Sequence, residues 1–142
     1  MPNMLHQIKI HASPEAVFDL LVSSEGLQQW WTHDAVAEPV EGSVAEFGFN
    51  DRGTVFRMRV DELVAGRRVK WTCLGDPEEW EGTKVGFHIA PDDHGAVDLH
   101  FAHRDWASLG GEFARCNTTW GALMYRLKAA AEGDAPGPLF RE

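Results

Sequence analysis

The residue with the clearest capacity for chemistry is a histidine at the end of a predicted strand. His103 closes the segment Ala96 to His103, in which apolar and polar residues alternate, and it shares a face with Leu99 and Phe101. An imidazole directed into an apolar interior could act as a general base, so His103 is the one catalytic candidate. No nucleophile or carboxylate accompanies it on that face. The alternative is a histidine at the rim of a sheet, bonded to backbone or water.

Two further histidines and two cysteines bear on metal binding. His88 and His100 share the opposite face of neighbouring predicted strands, but a closed metal site needs three or four ligands. Cys73 and Cys116 are far apart and match no metal or redox spacing. Both cysteines fall on apolar faces, which is typical of buried free thiols. We therefore expect no metal, no cofactor and no internal disulfide, and a non-enzymatic role is favoured over an enzymatic one.

Aromatic residues could instead surround a ligand. The six tryptophans fall into two groups, on inward faces and at the ends of predicted elements. The first group is Trp71 and Trp120, and the second is Trp30, Trp31, Trp80 and Trp106. Aromatic side chains at an opening suit a ligand with an apolar body, although filling a core is the simpler explanation for any one of them. Asn117, at the edge of an apolar helical stripe, needs a polar partner, which a ligand, a water or a backbone group could provide.

Composition restricts the class of protein. The chain has 142 residues, 44% of them hydrophobic, which suits one domain with a real core. Its net charge is −9, from 13 basic and 22 acidic residues, and this argues against nucleic acid and anionic membrane as partners. No apolar run approaches the roughly 20 residues of a membrane helix, and no secretion signal opens the chain. We expect a cytoplasmic protein.

The elements that must position these residues follow from hydrophobic periodicity. A first strand at residues 7–11 is followed by a helix that Ser13 caps and Pro14 begins, and by a short helical turn ending in Trp30 and Trp31. Five alternating strands then follow, at residues 43–49, 54–63, 68–74, 83–90 and 96–103. Short connections between them predict an antiparallel arrangement.

The last long segment organises the rest. Residues 110–132 form a predicted helix whose apolar stripe runs from Leu109 to Ala131. Segregated strands and helices predict an α+β fold, a curved antiparallel sheet of about six strands wrapped around this helix, with two short helices after the first strand. Residues 1–133 would be a single domain, and residues 134–142 a loosely held tail.

Three segments carry a resemblance to a known family: "IKIHASPEAVFDLLVSSEGLQQWWT", "EWEGTKVGFHIAPDDHGAVDLHFAHRDW" and "FARCNTTWGALMYRLKAAAE". Together they resemble the Hsp90 ATPase activator-like (AHSA1-type) branch of the START/Bet v 1-like (SRPBCC, helix-grip) superfamily. The resemblance covers residues 8–131, nearly the whole chain. It implies a helix-grip fold around a cavity, usually for an apolar small molecule.

These observations predict a cavity between the long helix and the sheet that binds a small apolar molecule of unknown identity. The expected ligand-binding residues are Trp30, Trp31, Phe47, Phe56, Met58, Trp71, Phe87, Leu99, Asn117, Trp120 and Met124. Two alternatives stay open: a cyclase- or hydrolase-like enzyme using the same cavity, and a chaperone-interaction domain. The protein could be a monomer or a homodimer.

Overall fold

The fold is α+β, with one antiparallel sheet and a long C-terminal helix. A computed structural model describes residues 1–75 and 78–141. In chain order the elements are β1 Met4–Ile10, α1 Pro14–Val22, α2 Ser24–Leu27, β2 Asp34–Val36, β3 Val44–Phe49, β4 Thr54–Val64, β5 Arg68–Cys73, a 3₁₀ turn Glu78–Trp80, β6 Lys84–Pro91, β7 Val97–Arg104 and α3 Phe113–Ala131. This confirms the predicted helix-grip class.

The sheet has seven strands in the order β1-β7-β6-β5-β4-β3-β2, where the sequence predicts about six. The additional strand is β2, which has three residues and pairs with β3 through Ala35 and Phe47. A three-residue segment is too short for an alternating pattern to be recognised, which is why the sequence predicts a loop there. The predicted alternation holds in the longer strands. On β5, Val69 and Trp71 are buried, while Arg68 and Lys70 are exposed.

Helix α1 begins at the predicted residues. Ser13 is the N-cap, and its hydroxyl oxygen accepts a hydrogen bond from the Ala16 amide at 3.1 Å. Pro14 occupies the first turn, where its missing amide proton costs nothing. The buried residues Val17, Leu20 and Leu21 then face the interior. The helix therefore begins with a formed N-cap and packs against β5, β6 and α3.

The cap at Ser13 provides a first prediction. Ser13→Ala should lower the free energy of unfolding by about 1 kcal/mol, because the Ala16 amide loses its acceptor at the surface. Urea denaturation measures the effect, with Ser13→Thr as the control that keeps a hydroxyl. Equal losses for both variants would show that the hydroxyl contributes nothing here.

Helix α3 lies across the inner face of the sheet, but it begins later than predicted. Gly111 adopts φ +63°, a left-handed conformation that an α-helix excludes, so the helix begins only after it, at Phe113. Leu109, the first residue of the predicted stripe, is consequently outside the helix and 70% exposed. The buried side of α3 consists of Trp120, Leu123, Met124 and Leu127.

The C-terminal segment is attached to the domain, where the sequence predicts a loosely held tail. The Leu139 and Phe140 amides donate to the carbonyls of Trp30 and Trp31, at 3.2 and 2.9 Å. The His33 amide donates in turn to the Phe140 carbonyl at 2.9 Å. These are main-chain bonds, which depend little on side-chain type and therefore leave no pattern in the sequence. Residue 142, the last of the predicted tail, lies outside the described residues.

Candidate functional site

The centre of the interface between α3 and the sheet is filled with aromatic rings. Trp31 stacks on Phe47 with ring centroids 4.2 Å apart, and Trp120 lies 4.4 Å from Phe101. Trp31 and Trp120 also contact each other at 5.0 Å. All four side chains are buried. This part of the interface is a packed core.

A cavity of about 730 Å³ opens beside this core, between the first half of α3 and the hairpin that joins β3 to β4. Its apolar wall consists of Trp31, Phe49, Phe56, Trp80, Cys116, Trp120, Leu123, Leu139 and Phe140. The wall therefore combines the sheet, the helix, the 3₁₀ turn and the C-terminal segment. Phe140 is held against Phe49 by an edge-to-face contact of 5.1 Å.

Polar residues lie around the cavity as well. They are Asn50, Thr54, Arg115, Thr119 and Arg141. The Arg141 guanidinium donates to the carbonyls of Pro138 and Pro136, which orders the end of the chain at this rim. The Arg115 guanidinium forms an exposed ion pair with Glu112 at 3.3 Å. An apolar wall with a polar rim suits a ligand that has an apolar body and a polar end.

Three of the predicted ligand-binding residues reach this cavity, namely Trp31, Phe56 and Trp120. Seven others lie outside its wall: Trp30, Phe47, Met58, Trp71, Phe87, Leu99 and Met124. All seven are members of the hydrophobic core, and they differ from the equally buried Trp31 and Trp120 in not reaching the cavity. The sequence did not separate these two groups, because alternation predicts only that a side chain points inward. It does not predict whether that side chain then meets empty space or another side chain.

Asn117 also lies outside the cavity. Its side-chain oxygen is 2.9 Å from Nε2 of His6 on β1, on the side of α3 away from the cavity. Gly121, one turn later, faces the same imidazole, with His6 Cε1 3.6 Å from where a Cβ atom would lie. The polar partner that the sequence demands for Asn117 is therefore a histidine of the neighbouring strand.

His103 is fully buried, and both of its ring nitrogens are engaged. Nδ1 accepts a hydrogen bond from the Trp120 indole at 3.2 Å, so this nitrogen carries no proton. Nε2 is 2.7 Å from the Thr83 hydroxyl, which itself donates to the Trp80 carbonyl at 2.6 Å. The network therefore assigns a neutral imidazole with its proton on Nε2, donated to Thr83.

The environment of His103 explains why it is not available as a base. Burial lowers the pKa of this imidazole to about 3, because the charged form loses its hydration. The side chain is not part of the cavity wall, and its one lone pair is already used by Trp120. These contacts assign His103 a structural role in holding the Trp120 indole.

The remaining candidates for chemistry are the other histidines and the cysteines. His88 and His100 are directly opposite each other on β6 and β7, with ring centroids 6.1 Å apart on the outer face. Within residues 1–75 and 78–141, no three metal-ligating side chains come together. Cys73 and Cys116 are free thiols, and burial raises the pKa of both, that of Cys73 to about 11. Cys116 lines the cavity as a neutral, weakly nucleophilic group.

The family model described as "Activator of Hsp90 ATPase homolog 1-like protein" matches residues 11–132. The chain belongs to this family. Among curated proteins, none matches the chain significantly.

Solved structures place this family member among similar folds. The Aha1 dimer from Colwellia psychrerythraea is 34% identical, with a TM-score of 0.85, over 94% of this chain and 98% of that one. A protein from Mesorhizobium loti is 14% identical with a TM-score of 0.79, over 92% of this chain and 97% of the other. An AHSA1-like protein from Aeromonas hydrophila is 16% identical with a TM-score of 0.69, covering 92% and 94%. The two more distant structures show the shared fold alone.

Sequence reasoning missed several cavity residues of this family member. Two of them could have been found from the sequence. Phe49 shares the inward face of its strand with Phe47, and Trp80 is a tryptophan at the end of a predicted element. Leu139 and Phe140 had no such signal, because their segment resembles an unstructured tail until its main-chain bonds are known.

In the described part of the chain, no helix combines the length and hydrophobicity that spanning a membrane requires.

Proposed function

We propose that this family member binds a small molecule with a largely apolar body in the cavity beside α3. The observation that carries the proposal is the aromatic wall around a volume of about 730 Å³, which lies within the usual range for small-molecule sites. Burial of apolar ligand surface there would supply the main part of the binding free energy, at about 25 cal/mol per Å².

The wall also indicates the shape of the ligand. Phe56 and Trp80 contact each other at 4.7 Å on one side of the cavity, and Trp120 and Leu123 face it from α3. Rigid aromatic rings favour a flat or cyclic apolar body over a long flexible chain. A hydroxyl or carbonyl on the ligand would find the side chains of Thr54, Thr119 and Asn50 at the rim.

Two adjacent threonines of α3 allow a matched test. Thr119 lines the cavity, whereas Thr118 is exposed, and each hydroxyl donates to the carbonyl four residues earlier at 3.1 Å. Thr119→Phe should reduce the affinity for an apolar fluorescent probe such as anilinonaphthalene sulfonate at least tenfold, because the new ring fills the cavity, roughly a 1.4 kcal/mol loss. Thr118→Phe should leave the affinity unchanged within about twofold, since its ring points to solvent.

Native mass spectrometry of the purified wild type provides the second measurement. A copurifying small molecule that Thr119→Phe removes and Thr118→Phe retains would support the proposal and give the mass of the ligand. Equal probe binding by the two variants would place the bound probe elsewhere and contradict it. Failure of the wild type to bind any apolar probe would contradict it as well.

A chaperone-interaction role is the second candidate, because the description of the matching family refers to activation of the Hsp90 ATPase. Addition of this protein to a purified Hsp90 should then raise its ATPase rate in a saturable manner. An unchanged rate at a large excess would exclude that role. The Aha1 relative is a dimer, and sedimentation of this chain would show whether it shares that state.

The proposed ligand-binding role suits a reducing compartment such as the cytoplasm. Cys116 lies at the cavity as a free thiol, and Cys73 is a buried free thiol on β5. An oxidising environment would expose the cavity thiol to modification. The localisation is open to direct test by fractionation of the source cells.

A further inference from the structure

A second concave surface lies on the opposite side of the molecule, on the outer face of the sheet. It is a groove of about 750 Å³ across β1, β7, β6 and β5, which we call the outer groove. Gly86 and Ala102 form its floor. Its rim carries Arg68, Lys70, His88, His100 and Arg104. Of the residues that the structure describes, none lines both the outer groove and the cavity beside α3.

The strand register explains how the groove is formed. Gly86 and Ala102 are directly opposite each other on β6 and β7, and a side chain of at most one carbon at each position leaves a depression. The pair His88 and His100 follows on one side, and Lys84 lies opposite Arg104 on the other. Residues two apart on a strand are roughly 7 Å apart, so the depression has basic or imidazole side chains along both sides.

Charge distinguishes this surface from the rest of the protein. The chain carries a net charge of −9, yet among residues 1–75 and 78–141 no carboxylate lines the outer groove. Arg68 is paired with Glu62 at 2.7 Å. Over residues 1–75 and 78–141, neither Lys70 nor Arg104 has a carboxylate within ion-pair distance. The Lys70 and Arg104 cations repel each other unless an anion lies between them.

We propose that the outer groove binds a compact, freely soluble anion that carries two or more phosphate groups. Arginine recognises phosphate oxygens through its planar fork, and lysine contributes a mobile point charge. Arg104 and Lys70 lie on neighbouring sides of the Gly86 position, so both long side chains can reach one ligand above it. Imidazole N–H groups of His88 and His100 add donors on the remaining side.

Two other classes of anionic partner fit this surface less well. An acidic peptide lying in the groove would gain no main-chain bonds from β7, β6 or β5, because these are interior strands whose backbone groups are already paired within the sheet. A nucleic acid would extend beyond the groove, and the net charge of −9 would repel its phosphates there. A short ligand with concentrated charge avoids both difficulties.

The proposal is tested by calorimetric titration of the full chain with inorganic tripolyphosphate at about 0.15 M salt, where weak long-range attraction is screened. We expect saturable binding at least tenfold tighter than that of orthophosphate. The double change Lys70→Gln with Arg104→Gln should weaken tripolyphosphate binding at least tenfold. Arg57→Gln is the control, since Arg57 is an exposed cation of β4 that is paired with Glu46 and lies outside the groove.

Gly86→Asp is a second, independent variant. A Cβ atom at this position meets nothing within 4 Å, so the new carboxylate fits without strain and places a negative charge on the floor. It should abolish tripolyphosphate binding and leave the melting temperature within a few degrees of the wild type. Absence of saturable binding by the wild type would overturn the proposal. So would equal weakening by Arg57→Gln, or capture by vesicles containing phosphoinositide bisphosphate without binding of soluble tripolyphosphate.

Discussion

Replacing Trp120 by alanine is expected to lower the free energy of unfolding by about 3–5 kcal/mol, as truncation of a large buried aromatic side chain does. The side chain is 1% exposed at the centre of α3. Its ring contacts Phe101 at 4.4 Å, Trp31 at 5.0 Å and Trp80 at 6.2 Å. The truncation would therefore remove contacts with the sheet, with the segment after α2 and with the 3₁₀ turn at once.

Loss of a buried hydrogen bond adds to this destabilisation. The Trp120 indole donates to Nδ1 of His103, whose side chain is fully buried. Removal of the indole leaves that nitrogen without a donor, a penalty of about 1–3 kcal/mol when no other group replaces it. Trp120→Phe separates the two terms, because it keeps most of the ring contacts and removes only the indole N–H.

Phe113→Ala is the comparison within the same helix. Phe113 is half-buried and packs edge-to-face on Trp106 at 5.3 Å, so its loss should be smaller, roughly 1–2 kcal/mol. Denaturant midpoints of the two variants, read together with probe binding, give the measurement. A Trp120→Ala loss no larger than that of Phe113→Ala would mean that the indole mainly faces the cavity and contributes little to the core.

The fold could be predicted from the sequence because its signals are periodic. Alternation placed Val69, Trp71 and Phe87 on the inner face, where they are buried. The helical stripe likewise placed Trp120 and Met124 against the sheet. Both patterns follow from burial of apolar surface, which strands repeat every two residues and helices every 3.6.

The site could be predicted only in part, because periodicity gives the direction of a side chain and not what it meets. Phe47 and Phe56 are a cross-strand pair, yet Phe47 is packed under Trp31 while Phe56 borders the cavity. The difference arises from Trp31, whose ring stacks on Phe47 and Trp71 over the middle of the sheet. Such long-range packing is not encoded at any fixed spacing.

The role of His103 shows the same limit for polar residues. Alternation correctly directs its ring inward, but the partners Thr83 and Trp120 come from another strand and from α3. A reader of the sequence sees an inward histidine without a carboxylate and cannot distinguish a base from a structural acceptor. The hydrogen bonds identify His103 as a structural acceptor.

Acidification should therefore destabilise the protein through His103 well before its carboxylates are protonated. The folded-state pKa of about 3 lies below the ordinary histidine pKa of 6.5, so protons bind the unfolded chain preferentially. The contribution to stability is complete above about pH 6.5 and is lost progressively as the pH falls towards the folded pKa. Between about pH 7.5 and 5.0 the free energy of unfolding should fall by about 2 kcal/mol through His103, since each pH unit below the unfolded pKa costs about 1.36 kcal/mol.

His103→Gln isolates this term, because the six other histidines remain and the amide carries no titrating proton. The wild type should lose about 2 kcal/mol more than the variant between about pH 7.5 and 5.0. Urea unfolding at each pH measures both losses. Carboxylates such as Asp92, whose pKa its hydrogen bond from Lys9 holds below the usual value, titrate below this window. Parallel losses in the two proteins would show that His103 is protonated in the folded state, which would contradict a buried neutral imidazole that accepts from Trp120.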